Sequence, residues 1–138
     1  RAPHFPEIGG WLEPLYLNDP PSYLYQLNRQ FIEAICGYLS IETLISNSWD
    51  YDLVEGKTER LASLCAQAEG TEYLSGPAAK DYVDEKIFKE HGVNVTWFDY
   101  SGYPEYKQLG GEFTHGVTIL DLLFNCGKNA RHFMKYVT

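Results

Sequence analysis

Helix-length amphipathic segments alternate with short β-branched runs along this chain, and that alternation restricts the fold more than any other feature. Leu24, Leu27, Phe31, Ile35 and Leu39 recur at helical spacing. They predict an amphipathic helix over residues 20–38, opened by Asp19 as N-cap and Pro20 at the first helical position. Ile41 to Ile45 reads as a short strand. A second helix is expected from Val54 to Glu69 on the stripe Leu61, Leu64, Cys65 and Ala68, with Gly70 just past its end. Thr71 to Ser75 reads as a strand, residues 80–91 as a helix stopped at Gly92, and Val93 to Phe98 as a third strand. A glycine-rich aromatic loop follows from Asp99 to Phe113, then a helix from Thr118 to Asn125 and a short one over Lys128 to Tyr136. The lead-in before residue 22 carries five of the seven prolines and the pair Gly9-Gly10, so it is expected to be irregular, with one helical turn around Trp11 to Leu17.

Strands separated by helices of this length imply βαβ units. The expectation is a three-layer, Rossmann-like α/β arrangement, a mostly parallel sheet flanked by helices, in a single domain over residues 1–138. Composition narrows the function classes. A net charge of −8 with 11 scattered basic residues argues against nucleic acid or an anionic membrane surface as partner. No run approaches the roughly 18–20 apolar residues that span a bilayer. Three cysteines at long spacing suit reduced thiols in a cytoplasmic protein. His4, His91, His115 and His132 lack zinc-site spacing, so no metal is expected. The sequence names no cofactor and no oligomeric state. It opens on Arg1 with no signal-peptide pattern, which reads as a piece of a longer or processed protein.

Ligands of open parallel sheets bind beyond the carboxyl ends of the strands. Three segments should meet there: Ser46-Asn47-Ser48-Trp49-Asp50, Ser75-Gly76-Pro77-Ala78-Ala79-Lys80, and Asp99-Tyr100-Ser101-Gly102-Tyr103. Ser75-Gly76-Pro77 is the most informative turn, because glycine admits a close ligand and a helix start offers free N–H groups to an anion. Lys80 and Tyr82 add a charge and a phenol; the plainer alternative is a strand-to-helix turn with an exposed lysine. Asp121 stands at the start of an apolar helix, as a catalytic carboxylate or as the back-reaching member of a capping box. Asn125 and Cys126 read first as helix-end capping and core packing, with a Cys126–His132 pair the lesser alternative.

The run Thr71-Glu72-Tyr73-Leu74-Ser75-Gly76-Pro77-Ala78-Ala79-Lys80-Asp81-Tyr82-Val83, followed by Phe88 and Gly92-Val93-Asn94-Val95, resembles a motif run of the WbqC-like family. Tyr103-Pro104-Glu105-Tyr106-Lys107-Gln108, Phe113, and Thr118-Ile119-Leu120-Asp121-Leu122-Leu123-Phe124-Asn125-Cys126-Gly127 are similar to that family's later motifs, and Asn28 falls in its Leu-Asn helix. Ala79 replaces a usual glycine and Thr118 a serine. The family's opening His-Gln-Pro strand-and-turn has no counterpart here, so the chain resembles a C-terminal portion. The resemblance implies biosynthesis of bacterial surface polysaccharide such as O-antigen, in the cytoplasm, through modification of a nucleotide-linked sugar. The reaction it suggests is acyl or aminoacyl transfer to an amino-sugar nucleotide. On that reading Lys80 and Asp121 are the catalytic candidates, Asp121 as acid–base or as a fixed acceptor. Ser75, Gly76 and Tyr82 would help Lys80 hold an anionic group, with Tyr106, Gln108 and Asn125 on the sugar side. The alternative is a non-catalytic sugar-nucleotide-binding or assembly module.

Overall fold

The helix–strand alternation survives in one part of the chain and not in the other. The computed structural model describes residues 1–18 and 20–137, so the N-cap expected at Asp19 lies outside the described residues. In chain order the elements are α1 (Phe5–Leu17), α2 (Leu24–Tyr38), a 3₁₀ turn (Ser48–Asp50), α3 (Lys57–Gln67), β1 (Glu72–Ser75), a 3₁₀ turn (Pro77–Asp81), α4 (Glu85–Glu90), β2 (Asn94–Trp97), α5 (Ile119–Cys126) and a 3₁₀ segment (Gly127–Phe133). They divide into two units, Arg1–Thr43 with Gly102–Thr138, and Leu44–Ser101.

The Leu44–Ser101 unit is the α/β part. Its sheet has two parallel strands, paired from Glu72 with Asn94 to Ser75 with Trp97. Phe88 and Ala62 are fully buried and Val93 nearly so, with Leu61, Cys65, Tyr73, Val83, Ile87 and Val95 packed around them. Tyr73 from β1 stacks on Phe88 from α4 with centroids 4.8 Å apart. The chain is thus helices plus a small parallel sheet, one βαβ unit rather than the three-layer sheet expected.

The other unit is helical. Ile8 and Leu12 of α1 bury against Leu39, Leu122, Leu123, Cys126 and Ala130. The lead-in is therefore not irregular: α1 runs from Phe5 to Leu17 through Gly9, Gly10 and Pro14. Each glycine costs about 1 kcal/mol and the interior proline about 3 kcal/mol. Burial of Ile8 and Leu12, with Trp11 and Leu15 on the same stripe, offsets that cost.

Three helices end in the same way. In the cap of α2, Ile41 N–H donates to Cys36 O (2.8 Å) and Ser40 N–H to Gly37 O (3.2 Å). In that of α3, Gly70 donates to Cys65 (2.8 Å) and Glu69 to Ala66 (3.0 Å); in that of α4, Val93 donates to Phe88 (2.9 Å) and Gly92 to Lys89 (3.0 Å). These are Schellman caps, whose C′ residue must be left-handed. Gly92 takes that conformation freely at φ 74°, whereas Ser40 (53°) and Glu69 (57°) take it with a Cβ. The strand expected from Ile41 to Ile45 fails for this reason, because Ile41 turns back to close α2 and packs on the helical core. Leu44, 92% exposed, has no partner face. Gly70 lies one position beyond the left-handed residue, where a Cβ would stand 3.1 Å from Cys65 O. The helix expected over residues 80–91 is broken into the 3₁₀ turn and α4, since Asp84 caps α4 by accepting from Lys86 N–H (2.9 Å).

One expected result follows from the caps. Glu69→Gly removes the Cβ penalty of the left-handed conformation and should stabilise the chain by about 1 kcal/mol, read as a rise in Tm of a few degrees. An unchanged or lower Tm would contradict the cap geometry.

Candidate functional site

The eight candidate residues fall into two groups of four, one in each unit. In the helical unit Thr118 caps α5, its Oγ1 accepting from Leu120 N–H at 3.1 Å. This places Asp121 in the first turn. Its carboxylate does not complete a capping box but collects side-chain donors. Tyr106 Oη donates to Oδ2 at 2.7 Å, Gln108 Nε2 to the same oxygen at 3.0 Å, and Asn125 Nδ2 to Oδ1 at 3.2 Å. Asn125, one helical turn on, also donates to the Asp121 backbone carbonyl at 2.8 Å. Gln108 engages both backbone groups of Thr114, donating to its carbonyl and accepting from its N–H at 2.9 Å each. The Tyr106 ring meets Phe113 and Phe133 edge-on at 5.1 and 5.7 Å. The carboxylate thus ties a long loop to α5. Asn125 Oδ1 is buried without a partner among the described residues.

The electrostatics follow from that packing. Burial first, and then donation to the Asp121 carboxylate, push the Tyr106 hydroxyl up to about 12. Burial and the same charge push the Cys126 thiol up, so it is no poised thiolate. Tyr38 is raised to about 12 by burial and by donation to Glu7 (2.8 Å). The other Glu7 oxygen lies 3.2 Å from His4 Nδ1, and the two contacts hold that carboxyl below its ordinary value. This His4–Glu7–Tyr38 cluster was not anticipated. Its signal, a His-x-x-Glu spacing, is hidden by the prolines that make the lead-in look irregular.

Raised phenols make a testable contribution. A hydroxyl at 10 in the unfolded chain and about 12 in the folded one contributes stability that is present below pH 10 and lost as pH climbs toward 12. A phenolate absorbance titration should therefore end in a late fraction belonging to Tyr38 and Tyr106. Tyr38→Phe and Tyr106→Phe should each remove part of it; a late fraction intact in both variants would contradict the assignment.

The second group sits in the α/β unit. Ser75, 7% exposed, ends β1 and is paired in register with Trp97 at the end of β2. Phe98 N–H donates to Ser75 O at 2.7 Å. A Cβ on Gly76 would lie 3.2 Å from Tyr100 Oη, so the expected meeting of the 75–80 and 99–103 segments is observed there. The helix start expected beside Gly76 is instead the 3₁₀ turn, closed by Ala79 N–H on Gly76 O (3.0 Å). Lys80 Nζ stands 5.5 Å from the centroid of the Trp97 ring, whose Nε1 donates to Glu85 at 2.9 Å. Trp97 was not singled out from the sequence; strand register is the signal that finds it. Tyr82 points elsewhere. It lines an open cavity with Gly56, Lys57, Arg60 and Leu61. Asp99 is engaged locally, accepting from Ser101 N–H and Oγ at 2.9 Å each.

Among the described residues no three His, Cys, Asp or Glu side chains are placed to hold a metal ion, and no helix is long and apolar enough to cross a membrane.

The chain resembles known proteins at the level of sequence. A model of the WbqC-like protein family matches residues 1–133. The uncharacterised protein Rv1507c of Mycobacterium tuberculosis is 56% identical over 135 residues, covering 98% of this chain. The chain spans 58% of the length of that relative. No solved structure matches.

Proposed function

This chain belongs to the WbqC-like protein family, and from that premise we propose that it modifies a nucleotide-linked amino sugar for bacterial surface polysaccharide, by acyl or aminoacyl transfer in the cytoplasm. The observation that carries this reading is the carboxyl edge of the two parallel strands. Lys80 presents an ammonium held over the Trp97 ring, and among the described residues no carboxylate lies within ion-pair distance of it. An ammonium steadied by an aromatic face keeps its charge and donors for an anionic group. Ser75, Gly76 and the Tyr100 hydroxyl frame the same strand ends.

The bonds of Asp121 support the fixed-acceptor role over the acid–base one, because both of its oxygens already accept from side chains. Tyr106, Gln108 and Asn125 then act as positioning residues of the loop. A second reading, a non-catalytic sugar-nucleotide-binding or assembly module, draws support from the same bonds, since an engaged carboxylate leaves no evident base. Product formation by the full-length protein from nucleotide-linked amino sugars and acyl donors tests the two. Lys80→Ala should lose turnover while the Tm stays within about a degree, because the side chain is exposed. Full activity in Lys80→Ala would overturn the strand-end assignment. Substrate binding without turnover under any donor would favour the module.

A further inference from the structure

We propose that the cavity beside the first turn of α3 is a binding site for a diphosphate-bearing ligand, with Lys57 and Arg60 on the phosphates and the Tyr82 ring on an attached planar group. The ligand class overlaps the nucleotide-linked substrate of the proposed function and deepens that reading, while the residues that line the cavity are not those of the strand ends. The cavity measures 580 Å³ and is lined by Gly56, Lys57, Arg60, Leu61 and Tyr82. That volume falls within the range of small-molecule sites. In a chain of net charge −8, the charged residues lining it among the described residues, Lys57 and Arg60, are both cations. Lys57 and Arg60 are three apart on one helix and therefore share a face.

The walls are held by specific bonds. Arg60 Nε donates to Val54 O at 3.0 Å, which fixes the guanidinium plane and leaves its outer amino groups as donors. A planar guanidinium matches two phosphate oxygens at once, and a lysine supplies a point charge beside it. Tyr82 is anchored through its backbone: buried Thr58 donates its hydroxyl to Tyr82 O at 3.2 Å. The residue remains 58% exposed, its ring a flat face next to two cations. Gly56 sits at φ 93°, and its open side is filled by the folded-back side chain of Glu59, which does not line the cavity. Charge, hydrogen-bond geometry and an aromatic face together favour a nucleoside diphosphate over a bare anion.

Calorimetric titration of the full-length protein with inorganic pyrophosphate and with a nucleoside diphosphate tests the site. Both probes should bind, the nucleoside diphosphate more tightly. Arg60→Gln and Lys57→Ala should each weaken both probes by roughly tenfold, the size expected for loss of a charge-assisted contact. Tyr82→Leu should weaken the nucleoside diphosphate alone. Lys89→Ala, on an exposed lysine of α4 outside both candidate sites, should leave both unchanged. Equal affinity in wild type and in the Lys57→Ala/Arg60→Gln double variant, or no binding of either probe to the wild type, would overturn the site. Equal affinity for the two probes would overturn the nucleotide assignment.

Discussion

Replacing Phe88 with alanine is expected to cost about 3–5 kcal/mol, the usual range for a fully buried phenylalanine. Its ring is completely buried in the α/β unit, stacked on Tyr73 of β1 and packed with Ala62 of α3 and Val93 ahead of β2. Removing it opens a void between the helices and the two-stranded sheet. A sheet of two strands has little stability of its own and depends on the face that covers it. The loss compares with a total stability of about 5–15 kcal/mol for a whole domain, so thermal unfolding should begin roughly ten degrees or more earlier. Because Ser75 and Trp97 end these same strands, the Lys80–Trp97 contact should be lost in the same transition, seen as a change in tryptophan fluorescence. Tyr82→Leu, on an exposed ring, is the control and should move stability by less than about 0.5 kcal/mol. A Phe88→Ala loss as small as the control's would contradict the packing.

What the sequence discloses is local, and what it conceals depends on contacts distant in the chain. β1, β2, α2, α3 and α5 are legible because their apolar residues keep one period, although α2 starts at Leu24 instead of the expected Pro20 and no side chain caps its N-terminus; at α5, Thr118 accepts from Leu120 N–H as the residue type predicts. α1 is not legible, since Gly9, Gly10 and Pro14 oppose a helix locally and only burial of Ile8 and Leu12 against Leu39 and residues of α5 and beyond, distant in the chain, reverses the balance. Ile41 to Ile45 misleads in the opposite sense, its apolar first residue serving a helix cap instead of a strand. The same distinction runs through the candidate sites. Asp121 and Asn125 stand one helical turn apart, so their meeting follows from periodicity, and Tyr106 and Gln108 arrive with the motif that contains them. Trp97 is found only through strand register, and Lys57 and Arg60 only through the cavity that Tyr82 shares with them.

Asp121→Ala should be the most damaging change in the helical unit outside its apolar core. It strands three donors, from Tyr106, Gln108 and Asn125, each of which now reaches an ionised oxygen. Hydrogen bonds to a charged group are worth roughly 1.5–3 kcal/mol apiece. The groups are half-buried and water can reach part of the gap, so the expected total is about 2–4 kcal/mol, read as a fall in Tm. Asp121→Asn separates the two roles of this residue. An acid–base carboxylate would lose turnover on becoming an amide while the Tm barely changed. A fixed acceptor loses stability instead, because the amide turns an –NH₂ toward donors, and activity then falls only as far as the loop loosens. The Tyr106 phenol gives an independent reading. Two of the causes that raise it, donation to Asp121 and that residue's charge, vanish in the Asn variant and leave burial and a smaller contribution from Cys126. Its late titration should therefore move down from about 12 toward 10. A phenol that still titrates near pH 12 in Asp121→Asn, together with an unchanged Tm, would place the weight on burial alone and remove Asp121 as the tie between loop and helix.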